Sequence, residues 1–395
     1  AIDSPWSADP DDAVSLESFS GLDGTSSAAP VLYVHVADPA SSISAAGPVE
    51  REARDRGATL YLPEGTSRMI ADEALSLFAL GLSEISPALT FKISLDEKGE
   101  IRDTEIFPSL VRVRRLSYEE VDRLVEESTA GTDAAGTDAA LLAALCALAE
   151  RNLIRRTERG AVSIELPETH ITAAGGRVSV DPIIPYRSAL MVRECMLLAG
   201  EAASLYVSRR NRDAPFTAFP HVTQEVGDLP REPLPGMAGF YQLRRCMRPR
   251  SLSVRPGPHW GLGLEAYSQV TSPLRRYTDL LAHLQLRAML RGGEALSEDE
   301  VSARLGAGEA AASAVARAER VSRLHWTCVY LLDKKDSSWD AVALEKKGNA
   351  WVLMIPALAL ETQVPLKGKV EPNDPVRLTL KSVNLPRGEA NFVQA

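Results

Sequence analysis

Cysteine is scarce in this sequence. The four present, Cys146, Cys195, Cys246 and Cys328, lie far apart, with no CxxC pair and no histidines at metal-ligand spacing, so neither a zinc site nor a disulfide scaffold is expected. Long apolar runs are missing as well. None reaches the roughly 18 residues of a membrane span, and the N-terminus lacks the charged-then-apolar layout of a leader, so we expect no membrane partner and a cytoplasmic location. There is no initiator Met; Ala1-Ile2-Asp3 already enter a motif, which implies an upstream segment. Histidine does not cluster. His35, His170, His221, His259, His283 and His325 are too dispersed for a general base or metal triad, and most of them read as structural residues. Lysine is absent from the whole stretch between Arg209 and Arg291.

What is present is the make-up of a globular protein with more than one domain: 395 residues, 45% hydrophobic and 25% charged. The net charge of −9 argues against nucleic acid until its distribution is considered. Arg209 to Arg291 holds 13 Arg against 6 Asp or Glu, a local +7 that leaves −16 for the rest. An all-Arg basic stretch suits a phosphate-lined track, since the guanidinium fork matches phosphate oxygens; arginines scattered over a solvated face are the alternative.

The opening third reads as strands. Pro30 to Asp38 (PVLYVHVAD) has the β-branched content of a buried strand, and Leu89 to Leu95 with Ile101 to Phe107 form a hairpin. Ser117 with Glu120 is a capping box, and Ser128 to Ala140 is a low-complexity linker. Helices are predicted over Leu141 to Arg156, Tyr186 to Arg209 and Thr278 to Arg291, with a long one opening at the Ser297 and Glu300 capping box. Ala214 to Pro258, rich in Pro and Gly, is expected to be an irregular connection. Trp326 and Trp339 flank the end of the long helix as packing residues. From about Ser337, short alternating strands suggest a five-stranded OB-type barrel, a fold that often holds single strands.

The strongest chemical signal is IDSPWSADPDDAV, which places Asp3, Asp9, Asp11 and Asp12 within ten residues, among prolines that favour turns. Such mutual repulsion is tolerated when a hard cation neutralises it, and magnesium prefers carboxylate oxygens, retained waters and substrate phosphates. The spacing is not that of an EF-hand, which needs Gly at the sixth loop position and Glu at the twelfth. An acidic surface turn is the other reading.

This motif and VHVAD (Val34 to Asp38) resemble the active-site signature of the ribonuclease II and ribonuclease R (RNB) family. The match continues in order with Tyr61-Leu62-Pro63, Ser117-Tyr118, VRECMLLA (Val192 to Ala199), GLGLEAYSQVTSPLRRYTDL (Gly261 to Leu280) and ARAERV (Ala316 to Val321). By this resemblance Asp3, Asp9, Asp11 and Asp12 are the catalytic carboxylates, holding one or two Mg2+ ions, with Mn2+ as an alternative. Arg275 corresponds to the family's catalytic arginine, and Arg276 to a binder of a neighbouring phosphate. Tyr61 corresponds to an aromatic that stacks on a base, though a core tyrosine with a tethered hydroxyl fits it too. Tyr118 and Glu194 correspond to ribose readers and Glu319 to a glutamate near the 3′-terminal nucleotides. A helix salt bridge for Glu194 and a solvated place for Glu319 are their plain alternatives.

Two departures stand out. GAVSIEL (Gly160 to Leu166) has no ring where ribonuclease II places the second aromatic of its base clamp, so either Trp260 or another ring substitutes or the last nucleotides go unclamped, with hydrolysis itself unaffected. The paired cold-shock barrels of typical members are absent from this chain. The resemblance implies an α+β fold, with an RNB catalytic domain of mixed β-sheet and helices over 1–335 and an OB-fold over 336–395. It implies a monomeric, magnesium-dependent 3′→5′ exoribonuclease acting on single-stranded RNA. The alternatives are a non-catalytic RNA-binding regulator on the same fold, which loss of a metal-binding Asp or of the arginine would favour, and a cation-stabilised interaction protein without RNA. All four aspartates and Arg275 are intact.

Overall fold

The structure, a computed structural model, describes residues 1–17, 30–129, 137–213 and 216–395. Its N-terminal half contains β1 (Ile2–Asp3), β2 (Asp12–Glu17), β3 (Val31–Ala37), α1 (Pro48–Arg56), β4 (Leu60–Leu62), β5 (Gly65–Ser67), α2 (Asp72–Phe78), β6 (Ser86–Leu95), β7 (Ile101–Val111), β8 (Leu116–Ser117) and α3 (Tyr118–Thr129). It continues through α4 (Thr137–Glu158), β9 (Thr169–Ala174), β10 (Arg177–Pro182) and α5 (Arg187–Asp213). Next come β11 (His221–Thr223), α6 (Gly236–Cys246), β12 (Ser251–Ser253), α7 (Tyr277–Arg291) and α8 (Glu298–Leu332). The chain closes with β13 (Ser338–Lys347), β14 (Ala350–Ile355), β15 (Leu360–Val364), β16 (Pro375–Asn384) and β17 (Glu389–Gln394).

The central sheet has the order β2-β3-β6-β7 and is antiparallel throughout; among the named strands, parallel pairing is confined to β1 with β8. Alternation decides its faces. Leu32, Val34 and Val36 of β3 are fully buried with Leu89, Phe91 and Ile93 of β6, and α3, α4 and α5 supply Val121, Leu145 and Leu198 against them. A second cluster joins Ala13, Ala37 and Ala88 to α1, α2, α7 and α8. The capping boxes form as expected: Ser117 and Glu120 exchange bonds at α3, and Ser297 and Glu300 do so at α8.

The C-terminal strands make a five-stranded sheet, β15-β14-β13-β16-β17, rolled into a near-closed OB-like barrel around Leu353, Leu378 and Leu380. The β9–β10 hairpin contributes Ile171 and Val180 to this barrel's core, so the barrel is tied to the part of the chain that precedes it. Two expectations are corrected. The stretch Ala214 to Pro258 contains α6 as well as short strands, because Met237 and Tyr241 pack on Leu344, Val352 and Met354 of the barrel. The expected linker Ser128 to Ala140 lies largely outside the described residues, and from Thr137 it belongs to α4.

Candidate active site

Strand pairing fixes the acidic motif at one end of the sheet. Asp3 ends β1 and pairs with Ser117 of β8, Asp12 opens β2 opposite Val36, and the Ala37 amide donates to the Asp11 carbonyl at 2.7 Å. Between them the loop is held where the Leu80 amide donates to the Pro10 carbonyl at 2.9 Å. Pairing therefore begins immediately beyond Asp11, which fixes the backbone that carries Asp3, Asp11 and Asp12.

The arginine arrives from the other end of the chain. Asp279, fully buried in the first turn of α7, accepts from the Ser272 amide at 2.8 Å and from Arg276 Nη2 at 2.7 Å, which closes the Ser272-Pro273 turn. The Thr59 amide donates to the Arg275 carbonyl at 3.0 Å and the Tyr277 amide to the Gly57 carbonyl at 2.9 Å, so Arg275 is pinned from both sides. Asp11 then receives two bonds, from the Leu274 amide to Oδ1 at 2.9 Å and from Arg275 Nε to Oδ2 at 3.0 Å. Arg275 Nη2 donates to Ser272 Oγ at 3.1 Å.

These groups line one cavity of about 450 Å³, where Asp3, Asp9, Asp11, Asp12, Tyr61, Tyr118 and Arg275 meet Trp6, Arg68 and His170. Its electrostatics are those of buried carboxylates only partly compensated by Arg68 and Arg275. Burial, with added repulsion from neighbouring carboxylates, pushes Asp11 up to about 8 and Asp12 up to about 7, and raises Asp3 too. For Arg275, burial opposes the charge but Asp11 and Asp12 outweigh it, and the guanidinium holds its proton more tightly than usual. Burial lifts the Tyr118 phenol to about 12. Asp9 is held differently: Tyr61 Oη donates to its Oδ2 at 2.7 Å and Arg68 Nη1 at 2.9 Å.

This donor set fits a hard divalent cation. The four aspartates offer hard carboxylate oxygens, and buried carboxylates that favour their protonated form gain most from a neutralising ion. Among the described residues no three His, Cys, Asp or Glu side chains already form a ligating group, since Asp9 and Asp11 face Arg68 and Arg275.

Other expected residues sit elsewhere. Glu194 is 0% exposed and does not line the cavity; it accepts from Arg156 Nε at 2.9 Å and Asn152 Nδ2 at 2.9 Å, the buried form of the salt bridge that sequence left open. Arg276 turns to Asp279 instead of the cavity. Glu319 Oε1 accepts from the Tyr61 amide at 2.8 Å, so it positions β4. Trp260, 54% exposed, does not line the cavity. The arginine track is also corrected: nine of the 13 arginines, Arg275 among them, are ion-paired with Asp or Glu, seven of them with carboxylates that the fold brings in from outside the stretch.

His35, His221, His259 and His283 are held neutral by burial, as structural histidines are. Sequence reasoning passed over Arg68, Trp6 and His170. A tryptophan within a run of aspartates was a visible signal for Trp6; nothing in the sequence marks the other two.

The RNB domain family matches residues 1–229 and 239–292, and the RNase II-type exonuclease C-terminal S1 domain matches 337–395. An uncharacterized ribonuclease of Synechocystis sp. is 31% identical over 99% of this chain and 58% of its own length. The chloroplastic/mitochondrial ribonuclease II of Arabidopsis thaliana is 30% identical over 67% of this chain and 33% of its own. The chain thus spans about half the length of the curated relatives it matches. Mycoplasma genitalium RNase R, solved in complex with ribose methylated single-stranded RNA, shares the fold at a TM-score of 0.82 and 16% identity, covering 100% of this chain and 70% of that one. Yeast Ssd1, a pseudonuclease, shares it at 0.69 and 15%, covering 92% of this chain and 48% of that one.

Proposed function

This chain belongs to the RNB family, and we propose that it is a magnesium-dependent 3′→5′ exoribonuclease that shortens single-stranded RNA to nucleoside 5′-monophosphates. The observation that carries this reading is the convergence of Asp3, Asp9, Asp11 and Asp12 with Arg275, some 264 residues further along, in one cavity. The four carboxylates would hold one or two cations, and the chemistry a bound cation would supply is polarisation of the scissile phosphate and activation of a water. Arg275, anchored through Nε and Nη2, keeps Nη1 for a phosphate oxygen and compensates the charge that builds there. Its permanent charge suits the task, since it cannot be lost to the carboxylates beside it. Tyr118 stays protonated at neutral pH and so can donate to a ribose hydroxyl, a contact that separates RNA from DNA. Tyr61 stacks on a base while its hydroxyl steadies Asp9.

In this reading residues 1–335 form the catalytic unit, 336–395 add a single-strand-binding barrel, and the protein works as a monomer in the cytoplasm. The test is one incubation of 5′-labelled RNA with magnesium, resolved to single nucleotides. A ladder that shortens from the 3′ end and stops with EDTA is expected. RNA bound but never cut would leave the regulator reading, and internal cuts in circular RNA would refute an exonuclease.

A further inference from the structure

The cavity holds an aromatic pair that the roles above do not use. Trp6 is 56% exposed, although it is the largest side chain of its segment, and its ring lies on that of His170 with centroids 4.3 Å apart and planes 21° apart. Both line the cavity with the carboxylates and Tyr61. One face of the indole is therefore taken by the imidazole, and the exposure belongs to the opposite face and the rim. What sets Trp6 apart from the equally exposed Trp260 is its place: its ring opens on the cavity that the carboxylates line, where an entering ring can stack on it.

The pair is braced from behind. His170 lies in β9, whose Thr169 carbonyl accepts from Arg323 Nη2 of α8 at 3.3 Å and whose Ala173 amide donates to the Pro63 carbonyl at 2.8 Å, beside Tyr61. On the Trp6 side, the Ser7 amide donates to the Ser4 carbonyl at 2.9 Å and Arg115 Nη2 donates to the Ser7 carbonyl at 3.0 Å. A ring fixed on a rigid support loses little freedom when a second ring stacks on it, which favours stacking partners. We infer that Trp6, backed by His170, is a nucleobase-stacking platform at the cavity, and supplies the second ring that Gly160 to Leu166 lacks.

This rests on the exoribonuclease reading, so the experiment separates the two. Affinity of the intact chain for a short fluorescent oligoadenylate is measured in EDTA, for the parent and for Trp6→Ala, Trp6→Phe and His170→Ala, alongside oligonucleotides carrying one abasic nucleotide at each position in turn. Trp6→Ala should weaken binding about five- to hundredfold, and Trp6→Phe should restore most of it. His170→Ala should weaken it less. One abasic position should weaken the parent by a similar factor and leave Trp6→Ala almost unchanged, because both remove the same contact. A misfolded Trp6→Ala would show a lowered melting temperature and lose sensitivity at every abasic position, not one. Parental affinity in Trp6→Ala, or identical abasic profiles, overturns the platform even while 3′ shortening with magnesium proceeds. Loss of 3′ shortening and of RNA binding in the parent itself overturns the underlying reading and the platform with it.

Discussion

Asp11→Asn separates catalysis from folding more cleanly than any other substitution in the cavity. Burial raises the Asp11 carboxyl in the cation-free protein, so its charge is costly there and a neutral amide of the same shape is a mild replacement. Asn Oδ1 still accepts from the Leu274 amide, while the Arg275 Nε proton loses its acceptor and turns to water. In EDTA the stability change should stay within about 1 kcal/mol. With magnesium the two proteins diverge. The parent gains about 2.7 kcal/mol at a hundred times the cation's Kd, and the variant gains much less. Losing ~4 kcal/mol of transition-state stabilisation corresponds to roughly a thousandfold in single-turnover rate. The assays are thermal melting with and without magnesium, and single-turnover cleavage at saturating RNA. A variant that keeps more than about a tenth of the parent rate, or the parent's full magnesium-dependent stabilisation, refutes the role assigned to Asp11.

Because burial raises the Asp11, Asp12 and Asp3 pKa values above their unfolded range, these groups should stabilise the cation-free protein fully only below about pH 4 and cost it stability as pH climbs from there to about 7 to 8, where the loss levels off. Magnesium should restore it, with a half-saturation that falls as pH rises; melting curves in EDTA that improve with pH over this window would contradict the electrostatics. Tyr61→Phe keeps the ring and should cleave within a few-fold of the parent, whereas Tyr61→Ala, losing roughly 1–3 kcal/mol of stacking, should leave longer final products; identical ladders would remove Tyr61 from base contact. Glu194→Ala strands Arg156 in the interior and should cost about 3–5 kcal/mol without altering discrimination against DNA; normal denaturation with relaxed discrimination would return Glu194 to the ribose. Gly57 has a φ of +70° and lies where a Cβ would run into the α8 backbone at Gly308 and Ala312. Gly57→Ala should therefore cost at least ~1–2 kcal/mol and, through the Tyr277 amide bond to the Gly57 carbonyl, lower cleavage by misplacing Arg275; an unchanged melt and rate would show that neither contact matters.

The features legible in the sequence are those set by near neighbours along the chain. The β6–β7 hairpin, the α7 and α8 helices and both capping boxes follow from apolar periodicity and from residues three apart. The acidic cluster was visible for the same reason, as four carboxylates within ten residues must repel whatever the fold. The partners of charged and aromatic groups could not be read this way. Glu194 meets Arg156 across 38 residues, Tyr61 meets Asp9 across 52, and Arg275 meets Asp11 across 264. Most of the arginine stretch found carboxylates for the same reason, and Trp6 found His170. Helix α6 formed because the barrel offered it an apolar face. Local propensity acts over a turn or a strand, whereas Coulomb attraction and ring stacking act on whatever lies within a few ångströms, and only the tertiary fold decides which residues those are.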